Sequence, residues 1–174
     1  MLTGIVTTLL GPMLPVFTAQ WHLDDTQAGY LFTAQFASSI SGVALSSVLL
    51  RFWGYRWTLL AGVTGMAGGI GWLARAPWSQ ALVAVCVYGI GLGVVIPVSN
   101  MLISSSYEQG RAASLNLLNF SWGLGAVACP FVVAIFQQKQ RTGDFLLATA
   151  AGLVVVGVAL LGTPFPQVSE NMPE

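Results

Sequence analysis

Charge is what this chain has least of. Only 7% of its 174 residues are Asp, Glu, Lys or Arg, and its mean hydropathy is +0.76. A soluble domain carries about 25% charged residues. So few charges cannot coat a water-facing surface, and the chain reads as an integral membrane protein. Six basic and six acidic residues cancel, which removes the basic footprint of a nucleic-acid binder. Histidine is nearly absent. His22 follows Trp21 at a segment end and reads as an interfacial polar residue, not a ligand. Cys86 and Cys129 both fall inside apolar segments, show neither disulfide nor metal spacing, and read as buried small hydrophobes. The acids Asp24, Asp25, Glu108, Asp144, Glu170 and Glu174 lie in joins or in the tail, so no carboxylate falls inside an apolar span. Proton-coupled carriers generally use an in-membrane titratable group, so any such coupling would reside outside this chain. The same lack leaves no nucleophile–base pair or metal cluster for an enzyme. No cofactor or metal is expected.

Long apolar runs, by contrast, are plentiful. A crossing needs about 20 mostly apolar residues, and six segments qualify: 2–20, 28–50, 57–74, 80–103, 112–136 and 145–162. The joins WHLDDTQ, RFWGYR, RAPWS, SSSYEQGR and QQKQRTGD are short and polar. The spans are too long and continuous for barrel strands of about ten alternating residues. The first lacks the basic n-region of a signal peptide and five more follow it. Met1 sits almost on the first span, which leaves room for residues upstream. The expected fold is an all-α bundle over 1–163, with a polar, disordered tail over 164–174. Arg51, Arg56 and Arg111 lie on one side and Arg75, Lys139 and Arg141 on the other, so the positive-inside rule does not orient the bundle. Trp53 and Trp57 mark one interface; Trp21, Trp72 and Trp78 mark the other.

Polar residues within the spans are arranged in stripes. At 100° per residue, Gly89, Gly93, Pro97, Asn100 and Ser104 share one face of the fourth span, and Asn116, Asn119, Gly123, Ala126 and Pro130 share one face of the fifth. Such faces meet protein or a wet cavity in preference to lipid. GPMLPV at 11–16 matches GVVIPV at 93–98, and LFTAQF at 31–36 matches LNLLNF at 115–120. The offsets are 82 and 84 residues. They pair Thr7 with Gly89, Thr18 with Asn100, Gln35 with Asn119 and Ser39 with Gly123. The unit is therefore three helices used twice, over about 1–75 and 79–163. Thr7, Gly11, Pro15 and Thr18 form a corresponding stripe on the first span. Pro12, Pro15, Pro97 and Pro130 lie in spans one, four and five, where freed carbonyls need polar neighbours. Spans three and six lack such stripes and suit lipid.

Candidate contact residues follow. Asn100, Asn116 and Asn119 each offer two donors and an acceptor without a charge to desolvate, which matches sugar hydroxyls. The alternative is interhelical bonding, worth about 0.6 kcal/mol per bond in membranes. Gln35 and Thr18 join them on the stripes, and Trp122 suits either stacking on a sugar face or packing. Gly89, Gly91 and Gly93 do not form a dinucleotide loop, because the spacing is wrong and no strand precedes them.

This pattern resembles the major facilitator superfamily, as its N-terminal six-helix half. The LLGPMLP start, GYR after the second span, GIGLGxxxPxxN in the fourth and LNxLNFxWGLGAxxxP in the fifth are most similar to the branch containing fucose and glucose permeases. The resemblance implies a twelve-helix transporter of two halves, with helices 1 and 4 lining the path, 2 and 5 meeting the other half, and 3 and 6 outside. It also implies a cell-membrane location with both termini cytoplasmic. The superfamily's G-x-x-x-D-[RK]-x-G-[RK]-[RK] signature falls on Ser47, Arg51, Phe52, Gly54 and Arg56. Arg51 stands in the acid slot and Phe52 in a basic one, so the family's gate lock must differ or be weak here. Arg51 and Arg56 also suit ordinary flanking charges. The resulting expectation is alternating-access transport of a sugar or similar polar metabolite. The partners are lipid, a small solute and a second six-helix half. That half is a separate chain, one lost from this sequence, or a second copy. A non-transporting remnant or a regulatory membrane protein is the alternative.

Overall fold

The structure, a computed structural model, describes residues 1–106 and 110–163. The tail 164–174 and the loop acid Glu108 lie outside the described residues. Six helices follow one another: α1 (Leu2–Thr8), α2 (Leu10–Trp21), α3 (Asp25–Leu73), α4 (Trp78–Ser106), α5 (Arg111–Gln138) and α6 (Thr142–Gly162). Four of these are long and apolar enough to cross a membrane, and α1 with α2, bent by 47°, is long and apolar enough to make a fifth crossing when taken as one span.

Two elements differ from the expected spans. The span read over 2–20 is broken at Leu9. Proline lacks an N–H, and its ring meets the carbonyl four residues back. For Pro12 that carbonyl belongs to Thr8, and the break falls immediately after it. Conversely, the join RFWGYR is scarcely a loop. Helical geometry continues through 25–73 except at Gly54, with φ 68° and ψ −179°, a conformation open essentially to glycine alone. Thr58 reflects this break. A helical threonine often bonds the carbonyl four residues back, which here belongs to Gly54, and the buried Thr58 hydroxyl has no partner.

The direction of packing shows that the chain reverses at Gly54. In the limb 25–53, Ser39 Oγ donates to Gly89 O at 3.0 Å, and Gly42 lies against Ile90 and Gly93. Rising numbers meet rising numbers, so this limb runs parallel to α4. In the limb 55–73, Gly62 lies against Val95 and Gly91 while Gly69 lies against Tyr88 and Ala84, so this limb is antiparallel. Thus α3 crosses twice and holds α4 between its limbs, bringing the crossings to six. α6 packs on the second limb through Gly71–Ala150 and Gly157–Val63. Arg56 Nη2 donates to Thr163 O at 2.6 Å, fixing the end of α6 beside the Gly54 turn. α1 packs instead on α5, where a Cβ added to Gly4 would run into the Trp122 carbonyl.

At the opposite end, Asp24 caps α3. Gln27 N donates to Asp24 Oδ1 at 2.7 Å, and Asp24 N donates to Gln27 Oε1 at 3.1 Å, a reciprocal capping box. Trp21 stacks on Phe17 at 4.7 Å and meets Trp78 at 5.9 Å, while Trp72 Nε1 donates to Gln80 Oε1 at 2.9 Å. The three tryptophans read as one interface therefore lie together.

Candidate functional site

Where α1, α4 and α5 converge, a cleft of about 230 Å³ opens. Met1, which precedes α1, and Thr3 of α1 line it with Ser99 and Asn100 of α4 and Asn119, Ser121 and Trp122 of α5; Val95, Ile96 and Leu118 complete the wall. Among the described residues, no Asp, Glu, Lys, Arg or His side chain lines it. The helical register explains the grouping: Ser99 and Asn100 follow Val95 and Ile96 by one turn, as Ser121 and Trp122 follow Leu118. Ser121 Oγ is occupied by its own helix, donating to Leu118 O at 3.1 Å. Among the described residues, the amides of Asn100, Asn116 and Asn119 have no hydrogen-bond partner. Those of Asn100 and Asn119 therefore face the cleft with donors and acceptors uncommitted. A neighbouring cleft of about 470 Å³, reaching Leu153 and Leu160, is lined almost wholly by apolar side chains and offers no amide to orient a polar solute.

Of the residues singled out in the sequence, the structure brings Asn100, Asn119 and Trp122 together. Asn116 is exposed on α5, outside the lining. Thr18 is half-buried on α2, beyond the break. Gln35 is 2% exposed, and its Nε2 donates to Thr7 O at 3.1 Å. Of the signature residues at the turn, Ser47 and Arg51 are exposed, Gly54 forms the reversal and Arg56 holds Thr163. Thr3, Ser99 and Ser121 line the cleft without having stood out in the sequence. Thr3 lies one turn before Thr7, and Ser99 and Ser121 adjoin stronger candidates. Among the described residues, no group of three or more His, Cys, Asp or Glu side chains could hold a metal ion.

The sequence pattern of the Major Facilitator Superfamily matches residues 1–173. The chain belongs to this superfamily. As a member of it, the six-crossing bundle is half of a major facilitator fold, and the chain is a multi-pass membrane protein of a transporter family. It is 26% identical over 140 residues to the major facilitator superfamily domain-containing protein 4A of Mus musculus, covering 79% of this chain and 28% of that one. It is 22% identical over 167 residues to the sodium-dependent glucose transporter 1 of Danio rerio, covering 92% and 28%. For the Homo sapiens protein of the same name the figures are 21% over 171 residues, 92% and 32%. The chain thus spans about a third or less of these relatives.

Proposed function

We propose that this chain forms one half of a transporter that carries a neutral, hydroxyl-rich solute, with a monosaccharide as the fitting class. One observation carries the reading: the cleft presents two unpaired amides, Asn100 and Asn119, beside the Trp122 ring and with no ionisable side chain. An anion or cation entering it would lose hydration and meet no side chain of opposite charge. A sugar would exchange water for amide bonds and lay a C–H face on the indole. The names of two relatives, sodium-dependent glucose transporters, support the class. Alternating access rocks one bundle against another around a shared site, so the reading requires a second six-helix partner, with the cleft facing it. It places the protein in the cell membrane with both termini cytoplasmic.

The test is a titration of the purified chain in lipid nanodiscs. The probes are D-glucose, anionic gluconate and cationic glucosamine. D-glucose should bind, and Asn119→Ala should weaken its binding about 5- to 13-fold, the worth of a lost hydrogen bond of about 1–1.5 kcal/mol. Leu117→Ala, on an exposed part of α5, should leave binding unchanged. Preference for either charged analogue over D-glucose would overturn the reading.

A further inference from the structure

Trp122 forms part of the cleft wall, and an aromatic wall discriminates between solutes only if its ring stays in one orientation. The ring is held from α1. Trp122 Nε1 donates to Thr7 Oγ1 at 3.3 Å, and the Thr7 hydroxyl donates in turn to Thr3 O at 2.7 Å. One turn before Thr7, Gly4 lies directly against the Trp122 carbonyl. Backbone and indole of the same tryptophan are thus seated on the same short helix. Thr7 has a second engagement through its carbonyl, which accepts Gln35 Nε2 at 3.1 Å. Gln35 is almost wholly buried and belongs to α3, which otherwise packs mainly on α4 and α6. Hence a line of hydrogen bonds runs from buried Gln35 on α3, through Thr7 on α1, to the indole of Trp122 on α5. It crosses α1 two residues before the Leu9 break, where α2 departs at 47°.

The contact at the repeat-related positions shows that packing alone does not require this arrangement. The offsets read from the sequence relate Thr7 to Gly89 and Trp122 to Ser38. Gly89 and Ser38 also touch, but Ser38 Oγ donates to Gln35 O within its own helix at 3.0 Å. Beside it, Ser39 Oγ donates to Gly89 O at 3.0 Å, so a glycine and two serine hydroxyls suffice to join that pair of helices. On the side of the cleft, the same contact carries an indole, a hydroxyl and a buried amide.

We propose that Thr7 is a positioning residue for the cleft: it fixes the Trp122 ring as a wall, and Gln35 fixes Thr7, so Gln35 acts on the solute without touching it. The proposal deepens the monosaccharide reading and rests on the cleft being a solute site. The ring position, however, can be read without any solute.

The experiment uses the 174-residue chain in nanodiscs with ¹⁵N-labelled tryptophan. The Trp122 indole signal is assigned by its loss in Trp122→Phe. Thr7→Val keeps the side-chain shape and removes the hydroxyl. It should move the Trp122 indole proton upfield and increase ring mobility, leaving the other tryptophan signals in place. Thr7→Ser should restore the wild-type signal. Gln35→Leu, which leaves the Thr7 hydroxyl intact, should move the same signal by a smaller amount. An unmoved Trp122 signal in Thr7→Val overturns the positioning role, and one unmoved in Gln35→Leu overturns the relay. If D-glucose added to the wild-type protein shifts the Trp122 signal, the solute reading stands as well. If it leaves that signal untouched, the solute reading fails, while the ring measurement still decides the role of Thr7.

Discussion

At the scale of single residues, close helix approach depends on a few missing side chains. A Cβ on Gly93 would collide with the Ser39 carbonyl and crowd the Gly42 Cα, both backbone atoms. No side-chain rotation relieves that clash, so Gly93→Ala should force α4 away from α3. Overpacking of this kind costs about 1–3 kcal/mol, expected as a lower thermal midpoint in detergent. Gly68→Ala is the matched control. Gly68 meets nothing within 4 Å, and exchange there should be neutral or stabilising by up to about 1 kcal/mol. An equal loss of stability in both variants would contradict the packing account. The stripe containing Gly93 was legible in the sequence, because 100° spacing needs no tertiary information. Its surroundings were not. Gly89 and Gly93 face α3, whereas Asn100 on the same stripe faces the cleft. Helices cross at an angle, so one face changes neighbours along its length. Gln35 illustrates the same limit: its pairing with Asn119 in the repeat was readable, but its burial against Thr7 depends on where α1 ends.

At the scale of elements, the six apolar segments were readable from their length, and Trp21, Trp72 and Trp78, read as one group, lie together at one end. The connections were less so. RFWGYR carries two arginines and reads as a loop, yet one glycine at positive φ reverses the helix with no further residues outside helical geometry. In the first span, the two prolines announced irregularity without saying which would break the helix. Pro12→Ala tests the cause. With an N–H restored opposite the Thr8 carbonyl, the 47° bend should decrease. Spin labels at Thr3 and Ala19 should then move apart by about 2 Å, as expected when a bent rod of about 16 residues at 1.5 Å each straightens. An unchanged distance would assign the bend to packing against α5 instead of to the proline.

At the scale of the whole molecule, the charge tie leaves orientation to experiment. In a chain whose own cysteines are replaced by alanine, single cysteines at Ser106 and Gln140 should react with a membrane-impermeant reagent from opposite faces, Ser106 from the cytoplasm. Reaction of both from one face would refute six crossings. The chain alone should bind D-glucose but not carry it. A single bundle offers one wall of the path, and saturable uptake by a monodisperse monomer in liposomes would overturn the two-half proposal.

The partnership of α1 with α5 also bears on how the protein is made. Thr7 and Trp122 lie 115 residues apart. At 5–20 residues per second, the ribosome needs roughly 6–23 s to deliver the second after the first. Throughout that interval α1 carries a glycine, Gly4, and threonines placed for a helix that has not been synthesised. α4 is complete only shortly before α5, so for most of the interval the nascent segment has neither of those helices to pack on, and it reaches its final place only when α5 arrives.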